Sequence, residues 1–132
     1  MHPNEELARR ELEVLRSGDM DAVAELYADD LVLHYPGRNP LAGDHRNLEE
    51  FLAKFQRLIG EDGTITRELH DVLGSDDHAV QLLTVTARSR GRTHTWQAAV
   101  VLHTRDGKIS EVWIQIGDQY ALDGFLNSLA GA

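Results

Sequence analysis

The chain contains no cysteine. Disulfides, thiolate nucleophiles and cysteine-ligated zinc or iron–sulfur centres are therefore excluded. No apolar run approaches the roughly 20 residues that cross a bilayer, so no membrane span is expected. Met1 to Glu6 lacks the basic and apolar stretches of a secretory signal, and the expected location is the cytoplasm. Positive charge is scarce: 13 Lys and Arg stand against 22 Asp and Glu, a net charge of −9 at pH 7. That sign argues against nucleic acid and anionic lipid as partners. The glycines form neither a Gly-x-Gly-x-x-Gly nor a P-loop pattern, and no histidines fall at His-x-x-x-His spacing. Neither an organic cofactor nor a metal is expected.

What remains is an ordinary globular composition, 42% apolar and 27% charged, in 132 residues. At about 150 residues per domain this is a single domain over residues 1–132. The first half carries helical periodicity. Asn4 is placed to cap a helix with Leu7, Ala8, Leu12 and Leu15 on one face, stopped at Ser17-Gly18. Asp19 caps a shorter one with Val23, Leu26 and Tyr27 inward. Leu31 to Tyr35 reads as a strand ended by Pro36-Gly37, followed by an aperiodic loop from Arg38 to Arg46. Asn47 and Glu50 open a third helix whose apolar face is Leu48, Phe51, Leu52, Phe55, Leu58 and Ile59.

From Thr64 the period changes. Thr64–Leu73, His78–Arg88, Arg92–Thr104 and Lys108–Ile116 read as strands separated by turn residues, and Asp118–Leu129 as a last helix. The order is ααβαββββα, an α+β fold. Strands this long curl, helices cover the concave face, and the result is a cone with a pocket for a small, mostly apolar molecule.

The order of elements, with Ser17-Gly18-Asp19, Leu26-Tyr27-Ala28-Asp29-Asp30, His34-Tyr35-Pro36-Gly37, Pro40-Leu41-Ala42-Gly43 and Asp106-Gly107-Lys108-Ile109 leading to Trp113, resembles the nuclear-transport-factor-2-like superfamily, in its SnoaL-like and ketosteroid-isomerase-like branch. The resemblance covers nearly the whole chain and implies a single SnoaL-like domain. Ketosteroid isomerases of this fold place a general-base Asp before the proline, an oxyanion-holding Tyr in helix one and a protonated Asp in a late strand. Those positions hold Tyr35 and Glu11 here, and Arg92–Thr104 has no acid, so steroid isomerisation by that mechanism is not expected. SnoaL-type cyclases use an acid just after the last strand's tryptophan, near which Asp118 stands. Limonene-epoxide-hydrolase relatives need an Asp–Arg–Asp set that the long strands do not supply. Scytalone-dehydratase-like members use histidines with Tyr and Asp, for which His34, His70, Tyr35 and Asp71 are candidates.

The candidate proton-transfer residues are His34 and Asp118. Alternation sends His34 and Tyr35 to opposite strand faces, and Asp118 equally suits a helix N-cap. Tyr35, His70, Trp96, Trp113 and Gln115 are the candidate substrate-binding residues, with Trp113 and Gln115 sharing a face and only one of Trp96 and Gln97 facing inward. His70 and Asp71 are expected to split, one inward and one solvated. Three functions fit: a cofactor-free acid–base enzyme (cyclase, isomerase, dehydratase or hydrolase), a non-catalytic small-molecule binder, or an association domain with a filled cone. Apolar residues on both faces of Val80 to Val85 predict a homodimer through the outer sheet face.

Overall fold

The computed structural model describes residues 1–131. Its elements are α1 (Pro3–Ser17), α2 (Met20–Glu25), β1 (Tyr27–Tyr35), β2 (Gly43–His45), α3 (Leu48–Ile59), β3 (Thr64–Gly74), β4 (His78–Ser89), β5 (Arg92–Arg105), β6 (Lys108–Ile116) and α4 (Gln119–Ala130). One six-stranded sheet runs β2-β1-β6-β5-β4-β3, antiparallel except for β1 against β6. The architecture is the expected α+β one, a curled sheet with helices on its concave side. The core is a single cluster in which Leu12 from α1, Phe51 and Phe55 from α3 and Leu122 and Leu126 from α4 pack against inward residues such as Leu33, Leu83, Val100 and Leu102.

Local chemistry explains most boundaries. Asp19, Asn47 and Asp118 each accept a bond from the backbone N–H three residues on, capping α2, α3 and α4. Arg90-Gly91 and Asp106-Gly107 close two-residue hairpins in which both residues have positive φ, the twist that suits paired strands. Helix α1 differs from expectation: His2 is its cap and Pro3 its first residue. Asn4 is instead buried, its amide donating to the carbonyls of Ser75 at 2.7 Å and Asp76 at 3.0 Å, which ties the helix start to the β3–β4 turn. The Arg38–Arg46 loop contains the short strand β2, paired to β1 by Leu33 with His45 and Tyr35 with Gly43.

The loop after β1 is clasped to α4 by Asp123. Its carboxylate accepts from the Arg38 backbone N–H at 3.0 Å, the Asn39 amide at 2.7 Å and the Gln119 amide at 2.9 Å. The backbone passes so close that a Cβ on Gly37, whose φ is +95°, would lie 2.3 Å from that carboxylate.

Two bulges decide which side chains face inward. In β6, Thr104 pairs with Ile109 but His103 with Glu111, so Ser110 is an extra residue and everything after it changes face. In β3, Leu69 pairs with Leu83 but Asp71 with Leu82, making His70 the extra residue.

Candidate functional site

The concave face of the sheet and helices α1 and α3 enclose a cavity of about 70 Å³. Most of its wall is apolar: Leu12, Leu15, Leu33, Leu48, Phe51 and Ile114 among others. Four polar residues share it, namely Glu11, Tyr27, Arg67 and Gln81. Three of them arrive by a register rule. Glu11 lies three residues after Ala8 and four before Leu15 on the inward stripe of α1. Arg67 alternates with Ile65 and Leu69, and Gln81 with Ala79 and Leu83. Tyr27 enters from the start of β1, where the pairing with β6 is irregular.

Glu11 is 5% exposed and Gln81 2%. The Tyr27 hydroxyl donates to one Glu11 carboxyl oxygen at 2.5 Å, and the Gln81 amide donates to the other at 3.1 Å and to the Ala8 carbonyl at 2.8 Å. Burial raises the Glu11 pKa above its ordinary value; the bonds from Tyr27 and Gln81 and the charge of Arg67 work against that rise without cancelling it. Burial, then the adjacent Glu11, raises the Tyr27 pKa. Burial lowers that of Arg67, whose charge is favoured by Glu11. The result is a buried carboxyl whose pKa is raised, a phenol bonded to it, and a cation in the same enclosure.

His34 lies outside this cavity, against expectation. It is on the outer face of β1, with Nδ1 2.7 Å from Asp44 and Nε2 2.5 Å from Glu111, stacked on Trp113 at 5.7 Å between centroids. The bonds to Glu111 and then Asp44 raise its pKa. Asp118 also stands outside, exposed and capping α4 through the Ala121 N–H at 3.0 Å. The Ser110 bulge is why Trp113 and Gln115, which do share a face, occupy the outer one. Without it Trp113 would fall opposite Val100 and point into the cone. His70, at the other bulge, is exposed and 2.5 Å from the Thr84 hydroxyl, and Asp71 is exposed beside it, so neither faces inward. His70 and Gln115 border an open depression of about 440 Å³ on the outer face with Leu82 and Ala99.

Tyr35 and Trp96 do face inward. Tyr35 packs on Phe51 and Phe55 with centroids 5.4 and 6.3 Å away, and burial raises its pKa. Trp96 stacks on His94, which in turn stacks on Phe125 of α4 and keeps a buried Nε2 without a hydrogen-bond partner. Trp96, His94 and Asp118 border an open cleft of about 360 Å³. The expected site residues are thus spread over separate places. The residues that do converge, Glu11, Tyr27, Arg67 and Gln81, were not among them. For Glu11, Arg67 and Gln81 the signal was available: each is a polar residue at a register position that its neighbours make apolar.

The SnoaL-like domain family matches residues 8–112. An uncharacterised protein of Mycobacterium tuberculosis is 25% identical over 122 residues, covering 91% of this chain and 93% of its own length. The solved structure of Bal32a, from a soil-derived mobile gene cassette, superposes with a TM-score of 0.84 at 33% identity, covering 94% of this chain and 96% of that one. TerC, co-crystallised with polyporic acid, has a TM-score of 0.82 at 21% identity over 95% of this chain and 98% of its own, a likeness of fold.

Proposed function

Because this chain belongs to the SnoaL-like domain family and has the nuclear-transport-factor-2-like fold, which host many chemistries, we propose that its cone binds a small, mostly apolar molecule on which Glu11 moves a proton without a cofactor. One observation carries the reading. A carboxyl with a raised pKa stands in an apolar enclosure, bonded at 2.5 Å to a phenol and sharing the space with Arg67. TerC is a precedent for a small organic molecule with this fold.

The roles follow from the chemistry of the groups. As a carboxylate, Glu11 takes a proton from carbon or oxygen; as an acid, it returns one. Tyr27 and Gln81 hold the carboxyl and stabilise its ionised form through their N–H and O–H donors. Arg67 holds a substrate oxygen and favours negative charge developing there. Isomerisation, cyclisation and dehydration all use a proton-transferring carboxyl and a cation on a substrate oxygen, and hydrolysis adds a water as nucleophile.

The test starts from a ligand that shifts the methyl resonances of the cone-lining Leu, Val and Ile residues. If that ligand is converted, Glu11→Gln lowers turnover about 10²- to 10⁴-fold, while His34→Ala and Asp118→Asn retain the parent rate. Parent-rate turnover by Glu11→Gln overturns the assignment. A ligand bound in the cone and never converted makes the protein a carrier.

A separate observation supports self-association. Leu73 and Leu82, 52% and 37% exposed, lie on the outer face with Trp113, Val101 and Val80. We propose that this face pairs with a second copy about a two-fold axis.

A further inference from the structure

Arg67 is the group that the cone leaves unanswered. Among the described residues no carboxylate stands within ion-pair distance of its guanidinium, and its side chain donates no hydrogen bond. Yet it lines the same enclosure as Glu11, whose two oxygens are already engaged by Tyr27 and Gln81. A guanidinium offers donors in a planar fork that matches a carboxylate with two parallel bonds. The remaining wall supplies only Leu, Val, Ile and Phe side chains. Arg16 adds a second cation at this point, donating from its head group to the Arg67 backbone carbonyl. Space is limited: about 70 Å³ is room for only a few waters, at about 30 Å³ each in the liquid.

We propose that the cone takes a short-chain organic monocarboxylate, its carboxylate on Arg67 and its alkyl part against α3 and β6, and that binding is accompanied by uptake of one proton on Glu11. This names the substrate class for the site assigned above and rests on that assignment.

The proton follows from electrostatics. The groups facing Glu11 are Tyr27 from β1, Arg67 from β3 and the neutral Gln81 from β4; Arg16 and Tyr35 act at longer range through Arg67. From α3 and β6 the cavity receives only apolar side chains. Among the described residues, Arg67 is the cation whose charge opposes the rise in the Glu11 pKa. A carboxylate seated on Arg67 neutralises that help and adds a like charge in an enclosure of low polarity. One proton for two carboxylates then leaves a neutral cluster with the guanidinium satisfied. No covalent bond changes: the ligand enters as its anion, and the proton comes from solvent.

The experiment is an NMR titration of the full chain with butanoate and with butanamide, followed on the cone-lining methyls at several pH values. Butanoate is expected to bind at least about tenfold tighter than the amide, and its Kd to rise about tenfold per pH unit above the Glu11 midpoint, as uptake of one proton requires. Arg67→Gln is expected to weaken butanoate at least about tenfold. Glu11→Gln, a neutral isostere that keeps acceptors and donors for Tyr27 and Gln81, is expected to bind butanoate with no pH dependence across the same range. Equal binding of amide and carboxylate, indifference to Arg67→Gln, or a flat profile in the parent chain overturns the inference while leaving the cone as a binding site. If neither probe moves the cone methyls, the reading of the cone as a binding site falls with it.

Discussion

The two faces of this sheet carry similar chemical groups and put them to opposite use. On the inner face a carboxyl, a phenol, an amide and a guanidinium meet in a closed space. On the outer face an imidazole lies between Asp44 and Glu111 in view of solvent. Both Glu11 and His34 have raised pKa values, but for Glu11 the leading cause is loss of water and for His34 it is hydrogen bonding to a carboxylate. Loss of water disfavours the charged form of the first group, whereas its two carboxylate partners favour the charged form of the second. Residue type alone points to His34 as a proton carrier, but it is Glu11 that shares the inner cavity with Tyr27, Arg67 and Gln81.

The comparison breaks most readily at Glu11. Glu11→Ala leaves the buried Tyr27 hydroxyl without its acceptor and Gln81 with only its bond to the Ala8 carbonyl, an expected loss of about 1–3 kcal/mol for unmade bonds before the void is counted. Glu111→Ala on the wet face is expected to change stability by less than about 1 kcal/mol. Urea denaturation of the pair measures the contrast. Glu11→Gln sharpens it, because its effect depends on pH. The folded pKa of Glu11 lies above its ordinary 4.5, so the folded chain holds its proton longer than the unfolded one. Stability therefore falls as pH rises from about that value through the folded pKa, and Glu11→Gln is expected to flatten this slope.

A smaller expected effect concerns Asp118. Its side chain accepts one backbone bond at the start of α4, so Asp118→Ala costs about 0.5–2 kcal/mol of stability with ligand binding in the cone unchanged. On the outer face, Leu82→Asp leaves the fold intact and shifts sedimentation from dimer toward monomer at micromolar concentration; a parent chain that sediments only as monomer removes the proposed pairing. The smallest effect is at His34. Its folded pKa is raised above 6.5, so its contribution to stability is fully present below that pH and fades as pH rises through the folded value. Solvent screening keeps the contribution small. Following the ring protons by NMR, Glu111→Gln is expected to lower the His34 midpoint.

The elements themselves were legible in the chain. Helical stripes, the change of period at Thr64 and the Asp106-Gly107 turn mark α1 to α4 and the long strands β3 to β6 to within a few residues. The bulges were not legible. An extra residue such as Ser110 obeys no pattern in its own strand and is visible only in the pairing with β5, yet it moves Trp113 and Gln115 to the other face. The pairing of β1 with β6 was equally hidden, because a parallel ladder between the chain's first and last strands leaves no local signature. For the site, residue type points to His34 above all. The stronger signal was incongruity: Glu11 on the stripe of Ala8, Leu12 and Leu15, and Arg67 between Ile65 and Leu69.

That parallel ladder also sets the order in which the molecule can be built. His34 and Glu111 are 77 positions apart along the chain. Closing so long a loop before other contacts exist is entropically unfavourable and slow, whereas the β3-to-β6 meander joins neighbours through short turns. During synthesis the segment from Tyr27 to Tyr35 has only the short strand β2 to pair with until Lys108–Ile116 has left the ribosome. The apolar wall that Leu33 supplies to the cone stays uncovered until then. A chain that ends before Lys108 lacks the strand that joins β1 and β2 to the β3-to-β5 meander, so the two parts of the sheet have no ladder between them.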